Sequence, residues 1–333
     1  MRRLALFLAL LPALLRAQDD WLSLPVPQPL SGTARMEVGL SVHSAEYQGW
    51  IRGRDEAWFN TAVGVTRTLK SVGADLILRG KVAGPLVLEA KIPLVFNEFS
   101  TPDDGSPQIY SPLDPTVLRE QGLGDIQLGL RGPLFGRPGG LQGGWSLGLV
   151  APTGLGPFDA KDPLLATGDG RWQALGALVL GGGQDRAIES WLWAQGRYQA
   201  GRMAWVSSQA YLAYDGDGYN EVPVAPKLSG TVWLDPRWGF DASYGLAWNW
   251  YRDAEVRHSL AVEFLGHGLS AWSMDGQDQG LGSEFGLWVQ PELIMRFGQF
   301  NACGGWRSSP ILSSYNVPGA YSGTLIVNAS YAF

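Results

Sequence analysis

The chain is poor in charge, in cysteine and in long apolar runs. Only 17% of its 333 residues are charged, against about 25% in an average soluble domain. The single cysteine, Cys303, excludes an internal disulfide. Beyond the amino terminus no apolar run reaches about 18 residues, so the sequence predicts no transmembrane helix. The net charge of −6 is dispersed along the chain, which excludes the basic face that nucleic acid requires.

Glycine, tryptophan and a two-residue alternation are what the chain has in abundance. It contains 45 Gly and 15 Trp. Apolar and polar side chains alternate along residues 35–43, 74–82, 86–96, 125–131 and 284–297, as they do on the two faces of a β-strand. Because a closed sheet satisfies every backbone group in hydrocarbon, this pattern predicts an all-β transmembrane barrel with antiparallel up-and-down strands.

The number of strands follows from counting alternating segments. We expect about 14 strands, within a range of about 12 to 16. This count includes the segments Met203–Tyr214 and Lys227–Leu234. A soluble β-sandwich is the competing fold, since its strands alternate too. The presumed outer face carries almost no Lys or Glu, which a water-facing sheet needs for solubility, and this favours the barrel.

Both ends of the chain carry signals of export. Residues 1–17 read as a cleaved secretory signal peptide, because a basic start precedes a short apolar stretch that ends in Ala17. Residues 18–34 are proline-rich and are expected to form a periplasmic lead-in, with a plug in the lumen as the alternative. Residues 35–333 would then form the barrel, in the outer membrane of a Gram-negative bacterium.

The carboxyl terminus ends on a strand rather than on a tail. Tyr331 and Phe333 lie on the apolar face of this last strand. The segment resembles the carboxyl-terminal signal of bacterial outer-membrane proteins, and that resemblance implies the barrel-assembly machinery as a partner, together with outer-membrane lipid. Residues 97–121, 155–169 and 309–322 are rich in Pro, Gly, Asp and Ser and are expected to be outer loops, as is 216–226.

The polar face of the strands supplies the candidate lumen residues. Its charges have mixed sign, which predicts paired charges that stiffen the wall rather than a single-sign ion filter. In the alternative interpretation some of them line a permeation path. The lumen-lining candidates are Glu37, Asp75, Arg79, Lys81, Glu89, Lys91, Asp125, Arg131, Trp191, Trp193, Trp288, Glu292 and Arg296.

Inward tryptophans would suit the passage of apolar or aromatic solutes. Trp191 and Trp193 share the parity of Glu189 and Arg197, so all four face the lumen if the charges do. Trp205 would add to the same lining. The alternative places several of these tryptophans in the interfacial belts of the membrane.

The sequence gives no support for catalysis. His43 and His258 are each followed by serine, but adjacent strand residues face opposite sides of a sheet and cannot cooperate. We therefore expect no enzyme activity, no catalytic residue, no metal and no cofactor, and an envelope hydrolase is disfavoured.

Three glycine-rich stretches carry a family resemblance: GLGDIQLGLRGPLF (122–135), WSLGLVAPTGLG (145–156) and ATGDGRW (166–172). They resemble the outer-membrane barrels associated with the meta-pathway of phenol degradation. The matching positions are Gly122, Gly124, Asp125, Pro152, Thr153, Gly154, Thr167 and Gly168. The resemblance implies a channel-like barrel that passes hydrophobic or aromatic compounds. The alternative function is a non-conducting structural or adhesion barrel whose outer loops bind partners.

Overall fold

The structure is a computed structural model, and it describes most of the chain after residue 34. The described residues are 35–48, 51–52, 57–58, 68–100, 117–136, 140–156, 159–160, 165–182, 187–206, 212–214, 221–223, 230–253, 256–270, 273–278, 284–308, 312–315 and 323–333. The predicted signal peptide and lead-in lie outside them and remain predictions. No helix in these ranges is long and apolar enough to cross a membrane.

Twelve strands form one antiparallel ring. The ring strands are β1 (Met36–Gln48), β4 (Thr68–Ala83), β5 (Leu86–Ser100), β7 (Ile126–Gly136), β8 (Gln142–Ala151), β9 (Gln173–Gly182), β10 (Ile188–Gln199), β15 (Arg237–Arg252), β16 (Val256–Leu269), β19 (Glu284–Phe297), β20 (Phe300–Arg307) and β22 (Thr324–Ala332). The other strands are β2 (Ile51–Arg52), β3 (Ala57–Trp58), β6 (Val117–Leu123), β11 (Arg202–Val206), β12 (Leu212–Tyr214), β13 (Glu221–Pro223), β14 (Gly230–Leu234), β17 (Ser273–Met274), β18 (Gln277–Asp278) and β21 (Leu312–Tyr315).

The first and last strands close the ring. β1 pairs with β22 over nine residue pairs, from Glu37–Ala332 to Ala45–Thr324. The backbone N–H groups of Arg35 and Met36 both donate to the Phe333 carbonyl, at 2.9 and 3.0 Å. Phe333, which follows β22, thus adds to the hydrogen bonding between the last and the first strand.

The twelve strands of the ring lie within the predicted range of about 12 to 16 but are two fewer than the expected 14. The strand pairing explains the difference. The segments Met203–Tyr214 and Lys227–Leu234 were expected in the wall. Instead β11 and β14 pair with each other, and β14 continues to β17 and β18 in a small separate sheet. A two-residue alternation is the same for a hairpin beside the wall as for a strand within it, so the sequence pattern does not separate the two.

The predicted alternation is confirmed along the ring strands. Along β16, Ser259, Ala261 and Glu263 are buried, whereas Leu260 and Val262 between them are exposed. Leu128 of β7 is 54% exposed, which excludes the sandwich interior that a soluble fold would require. The apolar face is turned outward and the polar face inward, so the molecule is a transmembrane β-barrel rather than a sandwich.

The two ends of the barrel differ in the length of their connections. One end, called here the terminal end, holds Arg35, Phe333 and short turns such as Gly84–Pro85 and Gly298–Gln299. At the opposite end, called here the loop end, begin and end the long connections 49–67, 101–116, 152–172, 200–236, 270–283 and 308–323. The predicted outer loops 216–226 and 309–322 belong to two of these connections, whereas 97–121 includes parts of β5 and β6.

Aromatic residues on the outer face gather near the two ends. Trp172, Trp238 and Trp306 are exposed near the loop end. Near the terminal end, Trp248 and Trp250 contact each other, and the rings of Tyr331 and Phe333 stack with centroids 6.3 Å apart. This is the arrangement of interfacial belts, so part of the tryptophan content serves the membrane rather than the lumen.

Candidate functional site: the barrel lumen

A row of alternating charges crosses four neighbouring strands near the terminal end. It runs from Glu37 on β1 through Arg79 on β4 and Glu89 on β5 to Arg131 on β7. Arg79 contacts Glu37 at 2.8 Å and Glu89 at 2.6 Å, and Arg131 Nη1 lies 3.5 Å from Glu89. The pairs join adjacent strands side by side, so they stiffen the wall as the mixed signs predicted.

A second ion pair lies farther up the same wall. Lys91 Nζ is 3.3 Å from Asp75 Oδ2, and both side chains are buried. Lys81 lies half-buried nearer the terminal end of β4. The strands β1, β4, β5 and β7 are called here the charged half of the lumen, because their inward charges are compensated within the wall itself.

The opposite wall is built mainly on β10, β15, β16 and β19, called here the aromatic half. Near its loop end, the Asp241 carboxylate lies 2.6 Å from His267 Nδ1 and 3.2 Å from Arg197 Nη2. Near its terminal end Arg257 pairs with Glu189 and also binds Asn249. Arg296 donates to Asn301 at 2.7 Å on the neighbouring strand. These polar contacts occupy the two ends of this half, whereas its middle holds Trp193, Leu265 and Trp288 next to Glu263.

Two inward tryptophans and a leucine form an apolar row at mid-height. The strand registers place Trp193 opposite Ser243, Ser243 opposite Leu265, and Leu265 opposite Trp288. Leu265 and Trp288 are both buried and form a common cluster. These side chains lie on the inward face, as predicted, and give one side of the lumen an apolar and aromatic surface.

In the next row toward the terminal end, a tryptophan ring lies over a glycine. Trp191 pairs with Gly245, which pairs with Glu263. A Cβ on Gly245 would lie 2.1 Å from the Trp191 indole, so the ring covers the glycine. Its Nε1 thereby reaches over the intervening strand and donates to Glu263 Oε1 at 3.2 Å. Trp288 covers Gly286 in the same way, with a Cβ position 2.1 Å from its ring.

The Asp125 carboxylate binds the backbone of a loop that folds into the barrel, so it does not face an open lumen. Its Oδ1 accepts the Gly154 N–H at 2.9 Å and its Oδ2 accepts the Asp169 N–H at 2.7 Å. Both donors belong to the connection between β8 and β9, of which the structure describes 151–156, 159–160 and 165–172. We call this carboxylate with the connection it binds the loop clamp. A carboxylate that accepts two backbone N–H groups makes charge-assisted bonds, which are stronger than neutral ones.

Two threonines secure the loop clamp on either side of Asp125. Thr153 Oγ1 donates to the Gly124 carbonyl at 2.6 Å and accepts the Ile126 N–H at 2.9 Å. Thr167 Oγ1 donates to the Leu123 carbonyl at 3.0 Å. These bonds occupy the break between β6 and β7, where Gly124 and Asp125 leave the strand. The interrupted ladder is thus completed by the loop itself.

The glycines of the clamp are required by space. A Cβ on Gly168 would lie 2.4 Å from Asp125 Oδ1, and one on Gly154 would lie 2.9 Å from the Gly168 nitrogen. A Cβ on Gly124 would meet Pro93 at 2.9 Å. Six of the positions that carried the family resemblance therefore meet in the clamp, where small residues let backbone segments approach a single carboxylate. They are Gly124, Asp125, Thr153, Gly154, Thr167 and Gly168.

The clamped connection fills the lumen at the loop end. Leu165, Ala166 and Thr167 are at most 3% exposed, and Asn97 on β5 donates to the Ala166 carbonyl at 2.8 Å. The segment 155–169 was expected to be an outer loop, and its described residues lie partly inside the barrel. Sequence reasoning missed this inward fold because loop composition is the same whether the loop points outward or inward.

Arg171 ties the clamp to the outer sheet. Its Nη1 donates to the Asp235 carbonyl at 2.7 Å, next to β15. Burial, followed by repulsion from Arg237, lowers the pKa of Arg171 to about 10, so the group stays charged at neutral pH. Arg202 of β11 pairs with Asp159 at 2.7 Å. These polar contacts join the described residues of the clamp to the small outer sheet.

The predicted lumen residues and the predicted assembly residues lie on opposite faces of the wall. The inward face holds Glu37, Asp75, Arg79, Lys81, Glu89, Lys91, Asp125, Arg131, Trp191, Trp193, Trp288, Glu292 and Arg296. Tyr331 and Phe333 are exposed on the outer face of the terminal end. The structure brings the candidates together in separate groups rather than in one site, and their role in permeation remains a prediction.

Trp205 does not join the lumen lining. It lies on β11 in the small sheet and is 63% exposed. The residues that sequence reasoning did not single out are Glu263, Asp241 and Gly245. Their inward parity was readable along 237–250 and 256–269, but their proximity depends on the register between strands, which a single sequence does not state.

Comparisons with known proteins agree with the fold. No family model and no curated protein matches the sequence. Among solved structures, an outer membrane channel from Pseudomonas putida F1 has a TM-score of 0.59 at 14% identity, covering 95% of this chain and 99% of that one. This likeness shows that the chain has the barrel fold of an outer-membrane channel.

Autotransporter barrels are similar to a lesser degree. The beta domain of the Bordetella autotransporter BrkA has a TM-score of 0.44 at 11% identity, covering 90% of this chain and all of that one. The transport unit of AIDA-I from Escherichia coli scores 0.42 at 10% identity, with 95% of both chains covered. TM-scores below 0.5 carry no argument about this chain.

Proposed function

We propose that the protein is a gated outer-membrane channel that lets small hydrophobic or aromatic solutes cross by passive diffusion. The observation that carries this proposal is the apolar row of Trp193, Leu265 and Trp288 along one inner wall. A barrel that only stiffened the membrane would gain nothing from inward indole rings seated over glycines. An aromatic wall offers a passing ring a favourable surface at each step.

The loop clamp supplies the gate in this proposal. The inward side chains and the described clamp residues are largely buried, which indicates a narrow lumen in the described conformation. The ion pairs of the charged half run laterally between neighbouring strands. Release of the bonds between Asp125 and the connection would widen the loop end without breaking the wall.

The remaining parts of the proposal concern export and assembly. The chain would be exported through cleavage of residues 1–17 and inserted by the barrel-assembly machinery through Tyr331 and Phe333. The protein would act on its solute without chemical change, so we propose no enzyme activity.

Current recordings in planar bilayers test the proposal. The purified full chain should give discrete currents that neutral 2-phenylethanol reduces in a concentration-dependent manner. Trp288→Ala should weaken this block about fivefold, since a ring–ring contact contributes on the order of 1 kcal/mol. The matched control is Trp248→Ala, which removes a tryptophan from the outer face and should leave the block unchanged.

The alternative is a non-conducting structural or adhesion barrel. It would be supported if folded, inserted protein were silent both as the natural chain and as Asp125→Asn, in which the clamp is weakened. Folding of each variant is verified by heat-modifiable mobility on gels, so that a silent bilayer reports on the lumen rather than on misfolding.

A further inference from the structure

Two buried carboxylates meet on the aromatic half without an ion-pair partner. Glu263 is 5% and Glu292 4% exposed, on the paired strands β16 and β19. Their registers, Glu263 with Gln290 and Ala261 with Glu292, make them diagonal neighbours on the inward face. Within the described ranges, neither has a Lys, Arg or His within salt-bridge distance. Elsewhere in the lumen, Glu37, Asp75, Glu89, Glu189 and Asp241 all have such a partner.

The hydrogen bonds around the two carboxylates are mostly from neutral donors. Glu263 accepts the Trp191 indole N–H at 3.2 Å. Glu292 is bound by the Gln290 amide and by the Cys303 thiol, the latter at 3.5 Å. The nearby Arg307 donates to Gln290 Oε1 at 3.0 Å rather than to a carboxylate. Two carboxylates against one guanidinium leave one negative charge in this part of the lumen, which burial makes costly unless a cation compensates it.

A second observation points to a missing positive or donor group. Asn328 on β22 pairs in register with Cys303, the residue bound to Glu292. Its side chain is 4% exposed, and its Oδ1 has no hydrogen-bond partner in the described part of the chain. Ser41, opposite Asn328 on β1, is fully buried and its Oγ is also unpartnered there. Both oxygen atoms could accept a hydrogen bond from a ligand that carries N–H groups.

The surroundings define the chemistry of that ligand. The apolar row of Trp193, Leu265 and Trp288 adjoins Glu263 on the loop side. Trp191 lies over Gly245 beside the same carboxylate. No group of three or more His, Cys, Asp and Glu side chains among the described residues has the arrangement of a metal site. A single positive charge attached to an apolar or aromatic body fits these surroundings better than a bare metal ion.

We infer that the lumen contains a binding site for protonated aromatic amines, with the ammonium group between Glu263 and Glu292 and the ring against Trp288. The ammonium group would donate to the two carboxylates and bring the local charge to zero. The ring would point toward the loop end, where the apolar row lies. This inference rests on the proposed function, since it names the solute class that the same lumen prefers.

Three probes of one shape test the inference by calorimetry on the folded full chain in detergent at fixed ionic strength. They are 2-phenylethylammonium, neutral 2-phenylethanol and phenylacetate. The ammonium should bind at least tenfold more tightly than the alcohol, and phenylacetate should bind most weakly. The double change Glu263→Gln and Glu292→Gln should abolish the preference for the ammonium while leaving the affinity for the alcohol within about twofold.

The matched control is Glu98→Gln, which removes a carboxylate from the exposed Arg119 pair outside the lumen and should change nothing. Equal affinities for ammonium and alcohol in the natural chain would overturn the inference and leave the proposed function standing. Loss of binding for all three probes would count against the proposed function itself. If the double variant fails to fold, the single change Asn328→Leu provides a second test and should reduce the affinity for the ammonium alone.

Discussion

The charged and aromatic halves of the lumen solve the same problem in different ways. On β1, β4, β5 and β7, Glu37, Arg79, Glu89 and Arg131 satisfy one another across neighbouring strands. On β10, β15, β16 and β19 the middle of the wall carries Trp193, Leu265 and Trp288, and the nearby Glu263 and Glu292 are bound by neutral donors. Charges of the first half form ion pairs within the wall, whereas Glu263 and Glu292 of the second half have no ion-pair partner among the described residues.

This difference indicates where stability and function are divided. A lateral lattice of ion pairs fixes the register of four strands and resists change. A wall that seats indole rings over Gly245 and Gly286 gives up side-chain contacts on those strands. The difference can be tested by changing each half separately and comparing the loss of stability with the loss of solute binding.

The largest loss of stability is expected for Arg79→Ala in the charged half. The change leaves Glu37 and Glu89 buried without their shared partner, and breaking a buried ion pair by removing one member costs about 3–5 kcal/mol. Urea unfolding in micelles, followed by tryptophan fluorescence, measures the free energy of unfolding. The control is Arg119→Ala in an exposed pair, where about 0–1 kcal/mol is expected. Equal losses for both variants would contradict the lattice interpretation.

An intermediate loss is expected for Asp125→Asn. One amide oxygen remains to accept a backbone N–H, but the other acceptor is replaced by a donor facing a donor. Losing a hydrogen bond to a charged group costs about 1.5–3 kcal/mol, and the connection 151–172 should become sensitive to limited proteolysis. Bilayer conductance should rise at the same time.

The control for the clamp is Asp275→Asn in the small outer sheet, whose carboxylate accepts the Trp233 N–H at 3.0 Å. It removes a similar charge from the loop end and should leave both conductance and cleavage of the connection as they were. A clamp variant with unchanged conductance and unchanged cleavage would show that the connection does not gate the lumen.

The smallest stability effect is expected for Gly245→Ala in the aromatic half. The new methyl group would occupy the position of the Trp191 ring, and such overpacking costs about 1–3 kcal/mol. The displaced indole should lose its hydrogen bond to Glu263. The loss in the free energy of solute binding should therefore exceed the loss in the free energy of unfolding. Gly196→Ala on the outer face of β10 is the control, because a Cβ there meets nothing within 4 Å. Calorimetry with 2-phenylethanol distinguishes the two variants.

The sequence predicted which side chains share one face of a strand, but it did not predict which segments of the chain lie next to each other. The parity of Glu37, Asp75 and Lys91 placed them inward, because a buried polar side chain and a lipid-facing apolar one cannot be exchanged without large cost. The inward position of Asp125 was predicted too, but its two loop partners lie 29 and 44 residues away along the chain. Spacing within one strand contains no information about such contacts.

The amino-acid sequence by itself determined that the chain forms strands with one apolar face and one polar face. That property depends only on the two-residue alternation and on the contrast between lipid outside the barrel and the polar interior. Only the tertiary structure decided that the ring closes with twelve strands, that the connection before β9 folds inward onto Asp125, and that Glu263 and Glu292 become neighbours. Closure and register depend on which strand lies beside which, and that is a property of the assembled sheet rather than of any one segment.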